Sequence, residues 1–471
     1  MIELTAGRRA SILSFACVYL FGALIAFLFF ENPLISLSVW LFIGTMGFSL
    51  ALLSGRYALL NPVFMFCLLQ LTLFSLNWLP FLFEPTLIND TYGTVGLDSN
   101  RVERAIIVLK LLTSLWLVFA LMGNFLWKFK ITWRAADIGF NFRNIALIII
   151  AFSIMSFFVL VDKTGSFFEL MIQREITRED RVAATIGRHW FAFAQMGILG
   201  VALWAFSDKR IFKSWYFLPV VATVLVTGFI VSGNRTSIVM SFILIYAAWA
   251  FSSKKLASPA VIAMAVGLLI ALGIASLVRE EGFSKLQSSG YDAGARENGF
   301  LEKLLRVRSE RAIEGSASLG VLMALDDGMP FLFGESYKSI AYIPFPSNLL
   351  DGGKPPAAGR LASKELAGRT DTAWPISPVV EAYWNFGVFG VVVSGLIYGL
   401  FSGFIYRVML NNFDSTILLV GYFSYVTTFS LGSDGFYKFF GVAIPLIVFY
   451  LLVKALIWIR RRVTSVNYSG Y

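Results

Sequence analysis

The sequence predicts an all-α polytopic membrane protein with about twelve transmembrane helices, and three observations predict it. These are an excess of apolar residues, apolar stretches of near-constant length, and basic residues gathered in alternate connections. Hydrophobic residues make up 57% of the 471-residue chain, and mean hydropathy is +0.73, above what a soluble domain of this size carries. Aromatic residues reach 16%, many of them at the ends of apolar stretches, which suits interfacial belts. The stretches recur so regularly that one membrane domain accounts for the length better than several soluble ones.

Crossing a bilayer as a helix takes about 20 apolar residues. Such stretches lie near 11–31, 34–53, 62–82, 104–127, 144–162, 190–207, 216–232, 236–252, 257–278, 376–405, 415–432 and 439–459. The stretch at 376–405 is long enough to tilt or to begin outside the membrane. Arg8 and Arg9 precede the first stretch with no clear small-residue cleavage site, which reads as a retained first helix.

Lys and Arg in the short connections set orientation. With Arg8 and Arg9 inside, alternation places inside Arg56, then Lys128, Lys130, Arg134 and Arg143, then Lys209, Arg210 and Lys213, then Lys254 and Lys255, and finally Arg460, Arg461 and Arg462. The inner segments sum to roughly +12 and the outer ones nearly cancel. Both termini are then cytoplasmic, and the net charge of +10 is an insertion signal; no nucleic-acid partner is expected. The layout becomes helices one to nine in 1–278 with a smaller outer loop at 163–188, a large outer loop at 279–375, and helices ten to twelve in 376–471.

Several chemistries are excluded by residue supply. Cys17 and Cys67 both lie inside apolar stretches, and His189 is the single histidine, so neither a disulfide framework nor a Cys- or His-based zinc site is available. No Asp-x-Asp pair occurs with the candidate site, and the adjacent Asp326 and Asp327 diverge on a helix or strand. No metal and no cofactor are expected.

The large outer loop far exceeds an ordinary connection. Its first half, Glu297 to Leu325, spaces Leu301, Leu304, Leu305 and Ile313 as one or two amphipathic helices lying over the membrane domain. Its second half holds Pro344, Pro346, Gly352, Gly353, Pro355, Pro356 and Gly359, which predicts an ordered, irregular loop.

Charges on the outer side are the candidate chemistry. Arg174, Arg178 and Arg181 share one helical face with Glu175, Glu179 and Asp180 nearby. They read either as a self-paired solvated helix or as an anion clamp, since guanidinium forks match phosphate oxygens. Arg235 sits in the short turn Ser232-Gly-Asn-Arg-Thr-Ser237, at the membrane edge, where a charge is expensive and the following helix offers free N–H groups to an anion. Arg279 closes the ninth span and reads equally as an interfacial stop. Arg306, Arg308 and Arg311 form a second basic cluster, and Lys354 and Arg360 lie in the Gly/Pro-rich stretch. Glu381, at the outer start of the tenth span, is either an acid offsetting the helix dipole or a partly desolvated carboxylate with its pKa raised toward general-base range. Asp434 and Lys438 share the last outer turn. Cations on one membrane face would hold a diphosphate leaving group, and a carboxylate there would take a proton from an attacking hydroxyl.

Four segments resemble the bacterial oligosaccharide repeat-unit polymerases, the Wzy-type O-antigen polymerase family. They are Ser232-Gly-Asn-Arg-Thr-Ser-Ile-Val239; Phe333-Gly-Glu-Ser-Tyr337 running on to Tyr342-Ile-Pro-Phe-Pro346 and Gly352-Gly-Lys-Pro355; Ile376-Ser-Pro-Val-Val-Glu-Ala-Tyr-Trp-Asn-Phe-Gly387; and the outer turn with Asp434. The resemblance implies an inner-membrane enzyme, working at the periplasmic face, that transfers a growing glycan from undecaprenyl diphosphate to a hydroxyl of the next undecaprenyl-diphosphate-linked unit. It implies a chain-length-determinant protein as partner alongside membrane lipid. Arg235 and Glu381 are its catalytic candidates. Arg178, Arg181, Arg279, Arg311, Lys354, Arg360, Asp434 and Lys438 are its binding candidates. Related ligases use an outer histidine; His189, at a helix start, reads here as an interfacial residue.

Two alternatives stay open. An O-antigen ligase would use a lipid A core acceptor. A lipid-linked oligosaccharide flippase would place charges near the bilayer midplane, whereas the spans here are nearly charge-free, and Lys110 and Lys454 read as near-interface residues.

Overall fold

A computed structural model describes residues 33–53, 61–67, 70, 99–126, 142–165, 188–208, 210–232, 245–250, 316–343, 354–368, 373–374, 376–412, 415–428, 435–436, 447, 451 and 455. Among them there is no strand. The helices are α1 (Pro33–Leu53), α2 (Ser99–Leu126), α3 (Phe142–Thr164), α4 (Arg188–Gln195), α5 (Gly197–Ser207), α6 (Phe217–Ser232), α7 (Ser316–Asp326), α8 (Glu335–Ala341), α9 (Ala358–Ala367), α10 (Pro378–Asn411) and α11 (Thr416–Thr428). Among the described residues four helices, at Pro33–Leu53, Asn100–Leu126, Phe142–Thr164 and Pro378–Asn411, are long and apolar enough to cross a membrane. The chain is a membrane protein by that measure. The spans expected at 11–31 and 257–278, and most of those at 62–82, 236–252 and 439–459, lie outside the described residues.

Two compact units divide the chain. One comprises Met1–Ile2, Arg134–Glu297 and Asn412–Thr427; the other Glu3–Trp133, Asn298–Asn411 and Thr428–Tyr471. Each unit gathers separate stretches of sequence, so α10 shares a unit with α1 and α2 despite the long sequence between them.

In the first unit α3 buries Ala146, Ile150, Ser153, Phe157 and Leu160, a repeat of three and four that makes one face. The face meets the α4–α5 pair. Ser153 Oγ donates to the Ala194 carbonyl at 2.6 Å, and Gly200 leaves room for the Ala146 carbonyl. Contact positions fall along α3 as they rise along α5, so the two run antiparallel. The stretch expected as one span at 190–207 is two helices that meet at Met196. The break lies where Ser153 engages the Ala194 carbonyl, a side-chain intrusion of the kind that interrupts a ladder. α6 folds back on α5, with Trp204 stacked 6.0 Å from Tyr216.

The second unit is organised by α2 and α10, its most extensive helix pair. Gly395, Gly399 and Gly403 recur every four residues and so line one face of α10. A Cβ on Gly395 would overlap the Trp116 carbonyl, and one on Gly399 the Ala120 carbonyl; at Gly403 it would lie 3.0 Å from the Asn124 carbonyl. Gly123 of α2 meets Leu396 and Leu400 in the same way. Small residues thus bring the two backbones together, the means by which helices associate in lipid, where burial from water gives no drive. Both numberings rise together, so α2 and α10 are parallel. Two parallel crossing helices need an odd number of crossings between them, and the sequence reading has five. Beside this seam Trp116, Tyr398 and Phe66 pack their rings 4.9 to 6.1 Å apart, and Asn61 caps the helical turn at 62–67 by accepting from the Val63 and Phe64 amides. Lys110 places Nζ 4.5 Å from the Phe42 ring centre.

The segment 316–368 differs from its expectation in two places. α7 does not lie over the surface by one face. Ala317, Leu319, Val321, Leu322 and Met323 are all buried, because SASLGVLMALD is apolar nearly all round, and it packs on α2, α9 and α10. The Gly/Pro-rich half is not wholly irregular, since it holds α8 and α9. Ala, Leu, Lys and Glu dominate α9 and favour helix, and Gly368 ends it at φ 66° with its amide on the Lys364 carbonyl. Leu301, Leu304, Leu305 and Ile313 lie outside the described residues.

Candidate functional site

The site is built around the start of α10, entirely within the second unit. Pro378 occupies the first helical position, where its missing N–H costs nothing. The Ser377 amide donates to Ser318 Oγ of α7 at 2.9 Å, and the Glu381 amide to the Ser377 carbonyl at 2.9 Å. The helix then bends. Phe386 has φ −140° and Gly387 φ 62°, ψ −152°, a combination essentially reserved for glycine. Such a bend removes the normal i+4 partners from the preceding carbonyls. The segment before α8 supplies substitutes: the Leu332 amide donates to the Trp384 carbonyl at 2.9 Å and the Phe333 amide to the Asn385 carbonyl at 3.1 Å.

Side chains complete the join. Asn385 Oδ1 accepts from the Gly334 amide at 2.9 Å. Its Nδ2 donates to Ser336 Oγ and to the Glu381 carbonyl, each at 2.8 Å. Ser336 Oγ donates to Glu381 Oε1 at 2.7 Å. Glu381 is only 2% exposed, and Ser336 and Asn385 are fully buried. A carboxylate so deep is tolerable only with partners. Tyr337 stacks its ring 6.4 Å from Phe386, and its phenol is pushed well above the usual tyrosine range, first by burial and then by the negative charge of Glu381.

Glu381, then, stands in the first turn of α10, in a buried network and not partly exposed at a helix start. Lys354 donates Nζ to the Ile343 carbonyl at 3.2 Å, which ties the stretch before α9 to the end of α8. Arg360 is exposed on α9. Arg235, Arg178, Arg181, Arg279, Arg311, Asp434 and Lys438 lie outside the described residues, as do Arg306 and Arg308. His189 falls in the first turn of α4. Asp327 pairs with Arg101 at the start of α2. Among the described residues no group of three His, Cys, Asp or Glu side chains could hold a metal.

Ser336 and Asn385 are the functional candidates that residue-by-residue reading passed over. Asn385 follows Glu381 by four positions, one turn on the same face, and that spacing of two polar residues in an apolar helix was its signal. Ser336 carried none beyond its place in Phe333–Tyr337. Compared with known proteins, the chain matches no family model, no curated sequence and no solved structure.

Proposed function

We propose that the protein is a membrane glycosyltransferase of the inner membrane that polymerises lipid-linked oligosaccharide repeat units at the periplasmic face. The observation that carries this reading is the meeting of two of the segments on which the polymerase resemblance rests. Phe333–Tyr337 and Ser377–Gly387 join through Glu381, Ser336 and Asn385, so residues 45 and 49 positions apart act as one unit.

In the reaction, the acceptor sugar's hydroxyl oxygen bonds to the anomeric carbon of the growing chain. The bond from that carbon to diphosphate breaks, undecaprenyl diphosphate leaves, and Glu381 takes the hydroxyl proton. Arg235, with Arg178, Arg181, Arg279, Arg311, Lys354 and Arg360, carries the diphosphate charge; Asp434 and Lys438 contact glycan. A chain-length-determinant protein sets when transfer stops.

The test is purified protein in lipid supplied with an undecaprenyl-diphosphate-linked oligosaccharide and no nucleotide sugar. A ladder of lengthened products is expected, and consumption of only nucleotide- or monosaccharide-phosphate donors would sink the proposal. Glu381→Gln, which keeps an oxygen for Ser336 but a poor proton acceptor, should lose the ladder at normal protein level. Arg235→Ala should do the same, and Arg235→Lys should rescue poorly, since an ammonium cannot fork to two oxygens.

A further inference from the structure

Phe333 has φ 46°, a left-handed conformation that a bulky side chain avoids. The residue is 78% exposed. The hydrogen bonds of Phe333 and Gly334 to Asn385 hold the backbone in that state, so the fold holds an apolar ring outward at a conformational cost. The ring has company. Phe331 lies 6.4 Å from Phe333 and 6.1 Å from Tyr383. Gly334 backs onto Phe386, where a Cβ would come within 3.1 Å of Cζ. Phe386 is exposed, and Phe389, just past the bend, is 71% exposed.

This ledge does not end at the bend. Ile397, Phe401 and Phe404 are exposed further along α10, on the side away from the glycines that meet α2. That is the side a membrane-crossing helix gives to lipid. An exposed aromatic patch continuous with it, at the helix end where the chain leaves the apolar core, has the composition and the place of an interfacial anchor.

We infer that Phe331, Phe333, Phe386 and Phe389 insert into the headgroup–acyl boundary of the bilayer, with Phe333 as the leading wedge, and so fix the depth of the buried Glu381 network relative to the lipid surface. The inference rests on the membrane reading and not on the glycosyltransferase activity, and its test needs no turnover.

Nitroxide labels at Phe333→Cys, Phe389→Cys and Lys338→Cys, with Cys17 and Cys67 replaced by Ala, would be measured in phosphatidylethanolamine–phosphatidylglycerol vesicles. Relaxation by oxygen, which partitions into lipid, should exceed relaxation by a water-soluble nickel chelate severalfold at 333 and 389, and the order should reverse at 338. A label at 333 relaxed mainly by nickel overturns the inference. If the cysteine variants misfold, Phe333→p-benzoylphenylalanine keeps an aromatic ring in place. Illumination in native membranes should give phospholipid adducts, whereas adducts to glycan or to another stretch of the chain would count against the wedge.

Discussion

Asn385 makes three hydrogen bonds with one side chain, to the Gly334 amide, Ser336 Oγ and the Glu381 carbonyl. Each buried group left unpaired costs about 1–3 kcal/mol. Asn385→Ala should therefore lower stability by ~3 kcal/mol or more, read as a fall in melting temperature in detergent, and should free the 331–336 segment to protease. Tyr337 makes a pH prediction. Its folded pKa lies above the unfolded value of about 10. Below that value both states hold the proton and nothing changes; above it only the folded state does, so stability falls as pH rises. The loss is at most ~1.4 kcal/mol per pH unit. Denaturation at pH 8 and pH 11 should show a smaller alkaline drop in Tyr337→Phe than in the parent.

At the scale of elements, the glycines of α10 have two different uses. Gly399 lets the backbone touch Ala120, so Gly399→Ala should cost at least ~2 kcal/mol through overpacking. Gly44 of α1 has nothing within 4 Å of an added Cβ, and Gly44→Ala should be neutral or gain up to ~1 kcal/mol from helix propensity. The pair, melted side by side, separates packing from propensity. Gly387 is required for its dihedral angles, not for room, and Gly387→Ala should cost about 1–3 kcal/mol while loosening the 332–334 segment in hydrogen exchange. Much of this level was legible in advance. The stretches at 34–53, 104–127, 144–162 and 376–405 correspond to α1, α2, α3 and α10, because twenty apolar residues in a row announce themselves without any partner. The bend in α10 was not legible, since Gly387 is one of 39 glycines and only its carbonyl-capping neighbours, some 50 positions earlier, set it apart. The place of Glu381 at the start of a span was legible from position; its bond to Ser336 was not, because the two lie 45 residues apart and no local period links them.

For the whole molecule, the parallel run of α2 and α10 makes a prediction about sidedness. Reporters fused after Leu126 and after Asn411 should report the same side of the membrane, and reporters fused before Ser99 and before Pro378 the opposite one. A disagreement within either pair would break the alternation on which the outer placement of Glu381 depends. The same seam also constrains biosynthesis. Ala120 and Gly399 are about 280 residues apart, and at roughly 5–20 residues per second the ribosome takes on the order of 14–56 s to make the second after the first. For that interval the contact strip of α2, Trp116, Ala120, Gly123 and Asn124, has no α10 to meet. Lipid or an insertion factor must hold a buried-to-be asparagine and a row of close-approach sites until the last quarter of the protein arrives. Truncation before α10, even with every earlier span intact, would leave α2 as a quality-control target.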